Sequence, residues 1–342
     1  MSLLEVRNLR AHLQTPGGVA RAVDGADIDV PEGEAVGLVG ESGSGKSVLA
    51  LSILGLLPGG RAQILEGSSI RLRGDELVGK ESESLRRIRG REIAMVFQEP
   101  MTSLNPVFTV GSQIREALTL HRGMGRAPAE EEGVRLLREV GIPEAEDRMG
   151  AYPHQLSGGM RQRAMIAMAL AGEPSLLVAD EPTTALDVTI QAQILGLLKK
   201  LREDRGMALL LISHDLRVVA QVCSTVFVMY GGRVMESGPA AEVFHHPRHP
   251  YTRGLLGSRL SVRDRRARLR PVPGDVPEAT AWPKGCRFHP RCPEAVAGCR
   301  SDEPPMVSLA LDEVGGGFAA PGKPGEPGAR CWFPRHGKDG EG

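Results

Sequence analysis

Residues 40–47 constrain this chain more than any other part of its sequence. They read Gly-Glu-Ser-Gly-Ser-Gly-Lys-Ser and fit the pattern G-x-x-x-x-G-K-[ST] of a phosphate-binding loop. The apolar residues 35–39 before the loop predict a buried strand, and residues 48–57 after it predict a helix that ends at Pro58. In that context backbone N–H groups and the helix dipole face an anion, so the sequence predicts nucleotide binding here.

The side chains of this loop have distinct predicted roles. The Lys46 ammonium would reach the outer phosphates, and the Ser47 hydroxyl would be a ligand of Mg²⁺. The glycines let the backbone approach a phosphate without a Cβ atom in the way. The predicted nucleotide contacts in the loop are Gly40, Ser42, Gly43, Ser44, Gly45, Lys46 and Ser47.

Composition narrows the class of partner. Lys+Arg and Asp+Glu each number 42, so the formal net charge is zero, which argues against a nucleic-acid binder held by phosphate contacts. No apolar run reaches the roughly 18 residues that a membrane span needs. The first residues are charged too early for a secretion signal, so we expect a cytoplasmic protein whose membrane role comes through a partner.

Polar side chains follow two further predicted strands. Residues 93–97 are apolar and deliver Gln98, and residues 175–179 end at Asp180 and Glu181. An acid at the end of a buried strand, downstream of a phosphate loop, is the expected second Mg²⁺ ligand. Its neighbour Glu181 can polarise an attacking water.

Two more segments point to anion contacts. The apolar residues 207–212 present His214, for which we predict a phosphate contact. Ser157 occupies an N-cap position before two glycines, the second of them Gly159, and a predicted helix over residues 161–171. That helix N-terminus would form a second anion site facing outward, although serine-capped helices after glycine turns are common. A helical pattern with charged faces precedes this segment.

Taken together, these motifs resemble the ATPase subunit of an ABC transporter, in the family's order over about residues 3–255. The matching set comprises the phosphate loop, Gln98, Leu-Ser-Gly-Gly at 156–159, Asp180-Glu181, Ala-Leu-Asp at 185–187, and His214. The resemblance implies an α/β fold, a P-loop ABC-type ATPase core with an antiparallel β subdomain and an inserted helical subdomain. We expect the ATPase domain at 1–256, its helical subdomain at about 99–172, and a linker with a small Cys-rich C-terminal extension at 257–342.

The resemblance also implies a site. ATP phosphates would be held by Lys46 and the loop amides, and Mg²⁺ by Ser47, Gln98 and Asp180. Glu181 would be the general base for hydrolysis, and His214 would contact the γ-phosphate. Ser157 and Gly159 would contact ATP held by another subunit, because this family closes as a head-to-tail dimer. Residues 3–33 hold no aromatic ring to stack on adenine, and His12 and Leu13 are the nearest candidates.

Longer strings narrow the resemblance to the oligopeptide/dipeptide/nickel importer branch. They are residues 97–106, 179–193 and 249–256, and residues 159–169 are closer to the first of the two ATPases in such importers. The branch implies peptide uptake powered by ATP at the cytoplasmic face of the membrane. It implies as partners a second ABC ATPase in a heterodimer, two transmembrane permeases and an extracellular substrate-binding protein, and no nucleic acid. The alternatives are import of nickel or another small solute, and a soluble ABC-type ATPase acting on nucleic acid or ribosomes.

Four of the five cysteines lie after residue 285, namely Cys286, Cys292, Cys299 and Cys331. In the cytoplasm such a cluster favours metal or redox chemistry over disulfides. The gaps of five and six residues fit the tighter zinc templates poorly, whereas Cys₄ ligation of an iron–sulfur cluster is chemically open. Some members of the importer branch hold a [4Fe–4S] cluster in a similar tail. We therefore predict a [4Fe–4S] cluster on these thiols, with zinc or no metal as alternatives.

Overall fold

The protein is described from a computed structural model, over residues 2–98, 103–184, 186–258, 272–308 and 327–332. The strands are β1 (Ser2–Thr15), β2 (Gly18–Pro31), β3 (Ala35–Val39), β4 (Ala62–Ile64), β5 (Ser69–Leu72), β6 (Asp75–Glu76), β7 (Ile93–Val96), β8 (Leu176–Asp180), β9 (Ala208–Ser213), β10 (Thr225–Tyr230), β11 (Arg233–Pro239), β12 (Val307–Ser308) and β13 (Gly328–Ala329). The helices are α1 (Lys46–Ile53), α2 (Ser82–Ile88), α3 (Val110–Arg122), α4 (Arg126–Glu139), α5 (Ala145–Met149), α6 (Gly158–Leu170), α7 (Val188–Arg205), α8 (Leu216–Val222), α9 (Ala240–His245), α10 (Pro250–Gly257) and α11 (Gly298–Ser301).

The chain divides into two compact units. We call residues 2–30, 36–78 and 213 onward the P-loop unit, and residues 31–35 and 79–212 the helical unit.

The P-loop unit contains two sets of strands. One set has the order β2-β1-β5-β6, in which β1 pairs antiparallel with β5 and also with β4. The other has the order β12-β13-β11-β10-β3, in which β10 is parallel to β3 and antiparallel to β11. The antiparallel pairing of β13 with β11 brings residues near the C-terminus into this set of strands. The structure therefore contains the antiparallel β layer that the sequence predicts.

The helical unit combines three parallel strands with a run of helices. Its strands have the order β9-β8-β7, and all residues of β8 and β9 are buried. Strands covered on both faces read as continuous apolar runs, which is why these segments were recognisable in the sequence. The helices α3 to α6 lie between β7 and β8 in the chain, where a helical subdomain was expected.

Capping residues define the ends of two long helices in the helical unit. The Thr109 and Asp187 side chains accept hydrogen bonds from the third N–H groups of α3 and α7, at 3.2 and 2.9 Å. Gly123 and Gly206 end these helices with φ angles of +65°, a conformation that glycine adopts without strain.

Candidate nucleotide-binding site

The phosphate-binding loop connects β3 to α1, as its sequence context requires. A Cβ atom on Gly40 would lie 2.1 Å from the carbonyl oxygen of Met229, and one on Gly45 would lie 2.2 Å from that of Ala22. Gly45 also has a φ angle of +102°. Neither position therefore accepts a side chain, and the two glycines let the loop pass close to neighbouring backbone.

Lys46 is buried inside the loop. Its Nζ atom donates hydrogen bonds to the carbonyl oxygens of Gly40 and Glu41, at 2.8 and 2.9 Å, and to the Ser44 hydroxyl at 3.4 Å. The Ser44 carbonyl in turn accepts from the N–H of Gly232 at 2.9 Å. These bonds fix a positive charge at the centre of the loop, which is the electrostatic requirement for holding phosphate anions.

Three of the other predicted contacts of the loop face solvent. Ser42, Gly43 and Ser47 are exposed, whereas Ser44 is buried. The exposed Ser42 and Ser47 therefore offer hydroxyl donors to an anion on the solvent side of the loop.

In the helical unit the structure brings together Gln98 and Glu181, which are 83 residues apart. Gln98 Nε2 lies 3.4 Å from Glu181 Oε2, and the Thr184 hydroxyl donates to the same oxygen at 2.9 Å. Glu181 directly follows β8 and has a φ angle of +45°. A non-glycine residue in this left-handed region costs roughly 1–2 kcal/mol, and such costs concentrate at functional sites. Asp180, the last residue of β8, is only 4% exposed.

His214 and Ser157 each lie shortly before the first residue of a helix. His214 is exposed between β9 and α8, whose N-cap Asp215 accepts from the N–H of Arg217 at 3.0 Å. Ser157 is exposed and caps α6, accepting from the third N–H of that helix at 3.3 Å. A Cβ atom on Gly159 would lie 3.1 Å from the Ile190 side chain, so the start of α6 packs against α7. The predicted serine cap is thus present, and the helix N-terminus is open to solvent.

The sequence did not predict two residues that contact Glu41 of the phosphate-binding loop. The Tyr251 hydroxyl accepts a hydrogen bond from the backbone N–H of Glu41 at 2.9 Å, and Arg291 forms an ion pair with the Glu41 side chain. Residues 249–256 resemble the importer branch, but their sequence did not predict a contact with the phosphate-binding loop. Nothing in the sequence around Arg291, which lies between two cysteines, predicted its contact with the loop.

The four C-terminal cysteines approach one another without forming a metal site. The N–H of Cys286 donates to the carbonyl oxygen of Cys299 at 2.9 Å. Burial raises the pKa of Cys286 to about 11, with smaller contributions from nearby Cys299, Cys331 and Cys292, so burial favours the thiol over the metal-binding thiolate. Within the described ranges, no group of three or more His, Cys, Asp or Glu side chains could hold a metal ion. The predicted [4Fe–4S] cluster is therefore not supported by this arrangement.

Among the helices of the described residues, none combines the length and the apolar character needed to cross a bilayer.

Comparison with known proteins identifies the family. Residues 23–184 match the ABC transporter family, and residues 235–299 match the family described as oligopeptide/dipeptide transporter, C-terminal region. A putative peptide import ATP-binding protein of Brucella melitensis is 52% identical over 318 residues, which cover 90% of this chain and 94% of that protein.

Solved structures agree. An ATP-binding cassette solved as a dimer, in a post-hydrolysis state bound to ADP and Pi, has a TM-score of 0.61 and 28% identity over 69% of this chain and 98% of its own. The cbiO1 protein of Clostridium perfringens, part of an ABC transporter complex, has a TM-score of 0.60 and 26% identity over 72% of this chain and 91% of its own. The chain therefore belongs to the ABC transporter family of ATP-binding proteins, and it is an ATPase. The predicted α/β fold with an ABC-type ATPase core is confirmed.

Proposed function

We propose that this chain is the ATP-hydrolysing subunit of an importer of di- and oligopeptides. The observation that carries the proposal is the match of residues 235–299 to the oligopeptide/dipeptide transporter C-terminal region. The Brucella melitensis relative, named as a peptide import protein, supports the same class of solute. Import of nickel or another small solute by the same machinery is the second candidate, because this subunit has no need to touch the solute.

The proposed reaction gives each predicted site residue a role. Lys46 and the loop N–H groups bind the ATP phosphates. Ser47, Gln98 and Asp180 would hold Mg²⁺ through their side-chain oxygen atoms, and such hard oxygen donors are the ligands that this ion prefers. When bound, Mg²⁺ neutralises charge on the outer phosphates. Glu181 accepts the proton of the attacking water, and its carboxylate is oriented for this role by hydrogen bonds from the Gln98 amide and a threonine hydroxyl.

The remaining site residues have roles at the edge of this reaction. His214, exposed after β9, contacts the γ-phosphate. Ser157 and Gly159, at the exposed N-terminus of α6, contact ATP held by a second ABC ATPase subunit in a head-to-tail heterodimer. The dimeric state of the similar cassette supports this arrangement. This chain would be the first of the two ATPases.

An importer of this kind implies partner proteins and a cellular location for this chain. The chain would dock on two transmembrane permeases at the cytoplasmic face of the membrane, and an extracellular binding protein would deliver the peptide. We also keep as a proposal the division into an ATPase domain at 1–256, with its helical subdomain at about 99–172, and an extension at 257–342. The match of residues 235–299 to a family of C-terminal regions supports an extension of this kind.

The proposal is tested by measuring solute uptake in cells that carry the importer. Glu181→Gln keeps the size of the side chain and removes the general base, so accumulation of labelled dipeptides and oligopeptides should stop. The control is Glu203→Gln, an exposed glutamate on α7 whose partner is the adjacent Arg202. Loss of nickel accumulation with normal peptide uptake would establish the second candidate instead. Recovery of ribosomes or nucleic acid, rather than permeases, with the purified chain would reject both.

We propose separately that Cys286, Cys292, Cys299 and Cys331 are the thiols that would hold an iron–sulfur cluster, with zinc or no metal as the alternatives. The proposal rests on their spacing in the sequence, because the side chains of the described residues form no group that could hold a metal as they stand. The absorption spectrum and metal content of anaerobically purified chain distinguish iron–sulfur, zinc and no metal.

A further inference from the structure

One of the described arginines of the C-terminal extension, Arg291, is paired with the phosphate-binding loop. Arg291 Nη1 lies 2.6 Å from Glu41 Oε2, and Arg291 Nη2 lies 3.1 Å from Glu41 Oε1. The two parallel contacts form the bidentate geometry in which arginine binds carboxylates most strongly. Glu41 is the residue directly after Gly40, at the first variable position of the loop.

Arg291 is itself held rigidly. Its side chain is 5% exposed, its Nε atom donates to the carbonyl oxygen of Pro273 at 2.8 Å, and its guanidinium lies 5.6 Å from the centre of the Tyr230 ring. Tyr230 packs against the rings of Tyr251 and Phe288, with centroids 4.7 and 5.3 Å away. The guanidinium therefore presents a fixed fork to Glu41 rather than a mobile charge.

Glu41 connects Arg291 to Lys46, the lysine that binds phosphate. Its backbone N–H is fixed by the Tyr251 hydroxyl at 2.9 Å, and its carbonyl oxygen accepts from Lys46 Nζ at 2.9 Å. Removing Arg291 would free the Glu41 side chain and leave its carboxylate uncompensated beside a loop that binds anions. Both effects weaken phosphate binding, the first by disorder and the second by repulsion.

The same segment of the extension supports the loop from another direction. Arg287, four residues before Arg291, is buried, and its guanidinium donates to the Gly231 carbonyl oxygen and to the Asp24 carboxylate. Gly232, the residue after Gly231, donates its N–H to the carbonyl oxygen of Ser44 in the phosphate loop. The extension thus contacts the immediate surroundings of the loop at more than one point.

We propose that Arg291 is a positioning residue for ATP binding, acting through Glu41. The C-terminal extension then forms part of the nucleotide site, because it fixes the first turn of the phosphate loop and neutralises the loop's own carboxylate. The proposal concerns nucleotide affinity and holds whichever solute is imported. Its failure would leave the proposed import function untouched.

The test is the Kd for Mg-ATP of the full-length chain, measured by calorimetry well below the melting temperature of each variant. Arg291→Ala should raise this Kd at least tenfold. Glu41→Gln removes the repelling charge together with the ion pair, so it should raise the Kd less. The double variant should bind like Glu41→Gln, because neutralising Glu41 relieves the repulsion that Arg291→Ala exposes. Such rescue by a second substitution is not expected of a residue that only stabilises the fold.

Two further variants make the test decisive. Arg253→Ala removes an arginine that pairs with Glu294 of the same extension at 2.5 Å, and it should leave the Kd for Mg-ATP unchanged. If Arg291→Ala fails to fold, Arg291→Lys keeps the charge but loses the bidentate fork, and it should raise the Kd severalfold. A Kd within twofold of wild type for the folded Arg291 variant, or a double variant that binds more weakly than both single variants, overturns the proposal.

Discussion

His249 should make this protein lose stability on mild acidification. Its ring is 1% exposed at the N-cap of α10, where Nδ1 accepts a hydrogen bond from the N–H of Tyr251 at 3.0 Å. The ring also packs against Phe288, with centroids 5.8 Å apart. Burial, assisted by the positive charge of Arg253, lowers the pKa of His249 to about 3. The folded protein therefore keeps this imidazole neutral near pH 7.

The size of the effect follows from the two pKa values. In the unfolded chain His249 has an ordinary pKa of about 6.5, so below that pH the unfolded state binds a proton that the folded state refuses. The contribution of His249 to the free energy of unfolding is therefore fully present above pH 6.5. It falls by about 1.4 kcal/mol per pH unit between pH 6.5 and pH 3. Acidification from pH 7 to pH 5 should therefore cost about 2 kcal/mol through this residue alone.

The assay compares the free energy of urea unfolding of wild type and His249→Asn at pH 7, 6 and 5. Asparagine is a good N-cap but cannot titrate, so the variant loses ring packing at every pH and loses the acid sensitivity. Fluorescence of the buried Trp282, which belongs to the P-loop unit like His249, reports on the transition. Wild type should lose about 2 kcal/mol more than the variant between pH 7 and pH 5.

Two features isolate the contribution of His249. The buried carboxyl of Glu236 accepts from the N–H of His249, and burial raises its pKa, so its contribution has the opposite sign; it is present in both proteins and cancels. His246→Asn changes an exposed histidine of the preceding helix end and should retain the acid sensitivity of wild type. The same pH dependence in wild type and in His249→Asn would refute the reasoning.

Further predictions concern catalysis and packing. In the reconstituted transporter, Glu181→Gln should lower the ATP turnover number by roughly 10²–10⁴-fold while ATP still binds, and normal turnover would remove Glu181 from the role of base. Gly172→Ala should lower the melting temperature, because its Cβ atom would lie 1.8 Å from the Gly90 carbonyl oxygen and overpacking costs about 1–3 kcal/mol. Gly196→Ala, in α7 with nothing within 4 Å of the new methyl, should raise it by stabilising the helix by about 1 kcal/mol. Equal shifts for the two glycines would contradict the packing argument.

The sequence predicts buried strands and their polar ends well, because a strand covered on both faces is apolar throughout. The predicted strand over residues 175–179 corresponds to β8, and that over 207–212 to β9, each displaced by one residue. Helix starts at glycines are less accurate. We predicted the helix after the signature from residue 161, but it begins at Gly158, because the Ser157 cap allows the two glycines to join the first turn.

What the sequence could not predict depends on contacts between distant residues or on local strain. The Arg291–Glu41 pair joins positions 250 residues apart, and neither residue type is unusual where it stands. The left-handed backbone of Glu181 is likewise invisible, since its φ angle of +45° is imposed by the fold and not by a glycine. The cysteine spacing suggested a metal site but could not show how the intervening turns would orient the thiols.

Because the chain is synthesised from its N-terminus, the Arg291–Glu41 contact can form only late in protein synthesis. The loop at Glu41 leaves the ribosome 250 residues before the arginine that compensates its charge. At about 5–20 residues per second, the nascent chain spends roughly 12–50 s with a phosphate loop that lacks this support. ATP should therefore bind weakly to unfinished or truncated chains, and nucleotide affinity should rise once the last part of the protein has emerged and folded back.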